Sequence, residues 1–107
     1  MTRIEIFEQM LAADPANTVV LFGLAKEHEK TGDDAKVIET LERYLAAADD
    51  QGNAYGMLAR AYERNEQREK ARDTYARGAE VAAAHGHPGM AQEYREILEN
   101  EFAADVA

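Results

Sequence analysis

The chain has 107 residues, 46% hydrophobic and 31% charged, which suits one soluble globular domain with a single core and not a disordered segment. Its 21 acidic and 12 basic residues give a formal charge of -9, a field that repels nucleic acid and anionic membrane surfaces, so neither is an expected partner. There is no cysteine to form a disulfide or a thiolate metal site, and no apolar run approaches the roughly 20 residues needed to span a bilayer.

Glutamates inside MTRIEIFEQM exclude the apolar core of a signal peptide, and a cytoplasmic protein is expected. The acid excess reads first as solubility and alternatively as adaptation to high salt. Two prolines, abundant alanine and sparse β-branched residues favour helix throughout.

Six helices follow in chain order. The first is expected over about 3–13, with Ile4, Phe7, Met10 and Leu11 on one face, and Pro15 forbids its continuation. The second covers about 18–30, capped by Asn17 or Thr18 and ended by Gly32 in a left-handed conformation. The third covers about 34–47, with Asp33 and Asp34 placing negative charge at its start. The fourth runs about 52–64 with Asp49 or Asp50 near its entry, and the fifth about 67–84 after a turn at Asn65. The loop HGHPG leads to a sixth over about 88–104, with Pro88 near its start and an apolar stripe of Met90, Tyr94, Ile97, Leu98 and Phe102.

Laying residues 18–51 over 52–85, an offset of 34, gives seven identities, among them Leu24/Leu58, Ala25/Ala59, Glu29/Glu63 and Thr40/Thr74. The second block reads Tyr55-x-x-Leu58-Ala59-x-x-Tyr62, then Ala71-x-x-x-Tyr75, then Gly78; the first reads Leu21-x-x-Leu24-Ala25-x-x-His28, then Val37-x-x-x-Leu41. This pattern resembles the tetratricopeptide repeat, over roughly residues 3–84. One period earlier, Phe7 falls on the aromatic position of the second helix and Asp14-Pro15 on the closing Asp-Pro.

The resemblance implies an all-α, right-handed superhelical stack of antiparallel helix pairs forming a single domain over 1–107. It divides into a half repeat (3–15), two repeats (18–51 and 52–85) and an off-register capping helix (88–104). Small residues at Ala25, Ala59 and Ala71 allow close helix approach, and the large residues at the other pattern positions fill the space on either side.

In this family the first helix of each repeat lines a concave groove. Carried over by position, the expected lining is Val19, Phe22, Lys26, Glu29 and Lys30 in the first block, and Asn53, Gly56, Met57, Arg60, Glu63 and Arg64 in the second. The residues expected to carry binding are Phe22, Lys26, Lys30, Asn53, Met57, Arg60 and Arg64. Four basic side chains at matching positions on an acidic chain point to an acidic peptide or protein partner with apolar anchors. Ordinary surface pairing of Lys26 with Glu29, and of Arg60 with Glu63, is the competing reading. Some members clamp a C-terminal carboxylate with asparagines and lysines; Phe22, Lys26 and Met57 depart from that clamp, so that ligand is not expected.

No phosphate loop, nucleophile elbow or HExxH occurs, and no enzyme, cofactor or metal site is expected. His85-x-His87 has metal-like spacing but no third ligand nearby, and His28 reads as a packed, hydrogen-bonded imidazole. The alternative to a binding module is self-association through the stack ends or the last helix, with Tyr94 or Phe102 left partly exposed, in a monomer or weak homodimer.

Overall fold

Local chemical signals set several of the helix limits, and the computed structural model describes residues 1–105. The elements are α1 (Arg3–Ala13), α2 (Thr18–Lys30), α3 (Asp34–Ala47), α4 (Asn53–Arg64), α5 (Arg68–Ala84) and α6 (Pro88–Glu101), then a short 3-10 turn (Ala103–Asp105). They fall into two compact units, Met1–Asp49 and Asp50 onward.

In the first unit, α1 packs on α2 and α2 on α3, antiparallel neighbours joined by short turns. Thr2 caps α1 through a reciprocal box with Glu5: the Glu5 N–H donates to Thr2 Oγ1 at 3.1 Å and the Thr2 N–H to Glu5 Oε1 at 3.1 Å. Asn17 is the residue that caps α2, accepting from the Val20 N–H at 3.2 Å, and Asp33 caps α3. Gly32 takes φ +74 and ends α2 with a Schellman pair of hydrogen bonds, Asp33 N–H to the His28 carbonyl and Gly32 N–H to the Glu29 carbonyl. Leu11, Val20, Leu21 and Leu24 form the core, with Ile4, Phe7 and Tyr44 packed against it.

In the second unit, α4 packs on α5 and α5 on α6. Ala59 and Ala71, wholly buried, keep α4 and α5 close. Asp50 opens α4 from outside, its carboxylate accepting the N–H groups of Gly52 (2.9 Å) and Ala54 (3.1 Å). The turn after α4 repeats the Schellman pattern of α2 one period later, but with Glu66 at φ +59 where the first repeat has Gly32.

The sixth helix stops three residues earlier than its apolar stripe suggested. Phe102 leaves the helix and turns inward, its ring 5.9 Å from that of Tyr75 and under the Arg68 guanidinium at 4.4 Å. Arg68 Nη2 also donates to the Glu101 carbonyl, satisfying a helix-terminal acceptor. Burying Phe102 contributes about 2–3 kcal/mol, more than one further helical turn would supply. Tyr94 is buried as well, so the sixth helix offers neither of the partly exposed aromatic rings expected from the sequence. The large apolar side chains that stand exposed within helices of the described residues are instead Ile6 (43%) and Met10 (44%) on α1 and Val19 on α2.

Candidate functional site

On α2 the spacing of Val19, Phe22 and Lys26 places three side chains along one stripe outside the core face of Val20, Leu21 and Leu24. Val19 is 81% exposed. Phe22 is half-buried against Tyr44 of α3, with ring centroids 5.1 Å apart and planes tilted by 52°. Lys26 lies over the Phe22 ring, its Nζ 5.0 Å from the centroid. Thr18, Val19, Phe22 and Tyr44 line a shallow cavity of about 260 Å³. The result is an aromatic floor with an open aliphatic edge and one ammonium group.

Lys30, also placed on this face by the sequence, is engaged elsewhere. Its Nζ is 3.3 Å from Glu27 Oε1, and the same oxygen takes Arg3 Nε at 2.9 Å. Lys26 has no carboxylate partner among the described residues, so the pairing with Glu29 in the competing reading is not made.

On α4 the equivalent positions behave differently. Asn53, Arg60 and Arg64 are exposed. Met57, expected as apolar ground open to a ligand, is instead 7% exposed and part of the core. The reason is the width of the buried stripe: Ala54, Gly56, Met57, Leu58, Ala59, Ala61 and Tyr62 are all buried, so only a narrow strip of α4 faces outward. Glu63 accepts a 2.7 Å hydrogen bond from the Tyr75 hydroxyl. Burial, then that carboxylate, pushes the Tyr75 phenol well above its usual range. Arg60, one period after Lys26, also lacks a carboxylate partner among the described residues.

Gly56 is covered too. The Tyr94 hydroxyl accepts from the Gly56 N–H (3.2 Å) and donates to the Gly52 carbonyl (2.7 Å), entering the first turn of α4. A Cβ on Gly56 would lie 2.7 Å from that oxygen, and one on Gly78 3.0 Å from the Tyr94 ring. Gly56 and Gly78 stand one period after Phe22 and Tyr44. The first repeat fills this place with its own aromatic pair, and the second leaves two glycines for Tyr94 to fill. Sequence reasoning missed this slot, although the paired offsets were there to be read.

In the loop before α6, His87 Nε2 lies 2.6 Å from Gln51 Oε1 and His85 Nδ1 2.9 Å from the Val81 carbonyl, so each ring has a protein neighbour. Among the described residues no three histidine, aspartate or glutamate side chains are placed to hold a metal, and no helix is long and apolar enough to cross a membrane. A second cleft, of about 390 Å³, opens between α1 and α3 over Leu24 and His28.

The tetratricopeptide-repeat family model matches residues 4–58, half of the chain, and the chain belongs to that family. The fold is accordingly that of a protein-interaction or assembly module. A crystal structure of MamA is similar in fold, with a TM-score of 0.62 and 22% sequence identity over 92% of this chain. The chain spans 66% of the length of that protein's chain. No curated protein matches it in sequence.

Proposed function

We propose that the chain is a binding module whose α2 face takes a partner peptide or protein presenting a carboxylate beside an apolar side chain. One observation carries the reading: Lys26 lies on the Phe22 ring with no carboxylate of its own among the described residues, in a chain of 21 acids and 12 bases. An ammonium held over an aromatic ring is positioned in advance for an incoming carboxylate that brings an apolar neighbour. Val19, Phe22 and Tyr44 offer the apolar contact. On α4, Asn53, Arg60 and Arg64 are proposed as polar contacts of that helix's own exposed strip, and Lys30 contributes charge from the edge of α2. The lack of cysteine fits a reducing, cytoplasmic setting, and nothing in the reading calls for a catalytic group.

The test is fluorescence anisotropy with labelled peptides of the form Asp-Leu-Glu-Phe, set against the same peptides with lysine for each acid. Acidic peptides should bind, Phe22→Ala and Lys26→Glu should each weaken them about tenfold or more, and the fold should persist. Equal binding of the lysine peptides, or unchanged binding by Lys26→Glu, overturns the reading.

One observation favours a second reading, self-association. Ile6 stands one period before Thr40, and Met10 one period before Tyr44, yet Ile6 is 43% exposed where Thr40 is 4%. A second copy pairing along α1 would cover Ile6 and Met10. Sedimentation equilibrium distinguishes the two: a monomer throughout the micromolar range removes this reading, and an Ile6→Glu-sensitive dimer supports it.

A further inference from the structure

We propose that the cleft between α1 and α3 binds an amino-acid-like zwitterion: a small ligand with an ammonium group, a carboxylate and a short aliphatic side chain. The cleft's volume of about 390 Å³ lies within the ~300–1,000 Å³ of small-molecule sites. None of the residues that line it belongs to the Phe22–Lys26 face.

The floor supplies the first argument. Tyrosines aside, His28 (6% exposed) and Thr40 (4%) are the two buried polar side chains among the described residues, and both line this cleft. They come from different helices, α2 and α3. Neither side chain has a hydrogen-bond partner among the described residues, and neither has a polar atom sealed away from solvent. The expectation of a hydrogen-bonded His28 is corrected accordingly: the hydrogen bond at this residue is to its backbone carbonyl, from Thr31 Oγ1 at 3.0 Å. Their polar atoms keep contact with solvent, so water satisfies them in the free chain. Here the cleft is the side from which a partner can reach both.

The rim supplies the second. Glu8 of α1 and Lys36 and Glu39 of α3 line the same space, and none of the three forms an ion pair among the described residues. Lys36 and Glu39 stand three residues apart on one helix, a spacing at which such pairs commonly close. Arg43, the other cation of the rim, donates to the Pro15 carbonyl at 3.2 Å and keeps its charge. A purely anionic ligand would face Glu8 and Glu39 unpaired, and a purely cationic one would face Lys36. A ligand of both signs pairs with each, while Leu24 receives its aliphatic part.

The experiment is a 15N–1H NMR titration of the full chain with L-leucine, leucinamide (cation only) and N-acetylleucine (anion only). Leucine should give saturable shifts at the His28 and Thr40 amides and bind about fivefold tighter than either analogue. Thr40→Val, which keeps the shape and removes the hydroxyl, and Glu39→Gln, which changes an exposed rim charge, should each weaken leucine about threefold or more. Glu99→Gln on α6 should leave it unchanged. The proposal is overturned by no saturable shift up to about 20 mM leucine, by leucinamide or N-acetylleucine binding as well as leucine, or by undiminished binding to Glu39→Gln.

Discussion

The Tyr94 hydroxyl stands between the Gly56 N–H, from which it accepts at 3.2 Å, and the Gly52 carbonyl, to which it donates at 2.7 Å. In an uninterrupted helix that N–H and that carbonyl would bond to each other, four residues apart. The phenol is therefore inserted into the first turn of α4, and the ring behind it occupies space that side chains on Gly56 and Gly78 would claim. Two helices of the second unit are thereby keyed to the sixth by a single side chain.

Tyr94→Phe keeps the ring and removes the relay, leaving a buried N–H without its partner. It should cost about 1–3 kcal/mol. Gly56→Ala tests the other half, since its Cβ would meet the hydroxyl at 2.7 Å and the ring at 2.9 Å. It should cost about 1–3 kcal/mol by overpacking. In the double variant, the hydroxyl that the added methyl group strikes is gone, so the combined loss should be smaller than the sum of the separate ones. Urea denaturation measures all three, and strict additivity would show that the contact does not couple the two residues.

Much of this architecture was legible in the sequence, and the reasons can be located. Pro15, Gly32 and Pro88 act through the backbone of their own residue, so the helix limits beside them follow from local chemistry. The 34-residue repeat marked Leu24, Ala25, Leu58 and Ala59 as core by simple periodicity. Met57 and Gly56 were misjudged for the opposite reason. Gly56 is covered by Tyr94, 38 residues away on a helix that leaves the repeat register, and Met57 falls within the wide buried stripe of α4, neither of which a local pattern records. The cleft at His28 was equally hidden, because it needs α1 and α3 on either side of α2.

Glu66 gives a stabilising prediction. It holds φ +59 at the position where the first repeat has Gly32 at φ +74. A left-handed conformation costs a residue with a Cβ about 1–2 kcal/mol, part of which glycine's greater chain entropy offsets. Glu66→Gly should therefore stabilise the chain by about 0.5–1 kcal/mol, visible as a rise of a few degrees in Tm. Gly32→Ala should lower stability by a similar amount, although no atom lies within 4 Å of its would-be Cβ. A fall in Tm for Glu66→Gly would mean that the Glu66 side chain contributes more than its backbone costs.

Gly52 should tolerate no such exchange. It takes φ +132, and a Cβ there would lie 2.7 Å from Met90 Sδ and 3.1 Å from Ala82 Cβ. Strain and overlap act together, so Gly52→Ala should cost about 2–4 kcal/mol. Removing the neighbouring cap with Asp50→Ala should cost only about 1 kcal/mol, since water can reach the freed N–H of Ala54 when the turn frays. Thermal melts of the two variants should rank in that order, and equal losses would show that the cap and not the glycine governs this turn.

Alkaline pH should unfold the chain through its buried phenols. Burial raises Tyr94 above the ordinary phenol value of 10.0, opposed by the Gly56 N–H, and burial together with Glu63 raises Tyr75 further. In the unfolded chain both phenols ionise near ~10, while the folded chain still holds their protons. Between those values the folded state binds more protons than the unfolded state, so stability falls as pH rises. The stability these neutral phenols lend is complete below about pH 10 and is lost progressively above it. Tyr75→Phe removes one such group and should flatten the alkaline decline in urea midpoint between about pH 10 and 12, whatever it does to stability at neutral pH. Glu63→Gln separates the two causes: it keeps an acceptor for the Tyr75 hydroxyl but removes the charge, so it should flatten the decline less than Tyr75→Phe does. An unchanged slope in Tyr75→Phe would mean that neither burial nor Glu63 holds the phenol proton in solution.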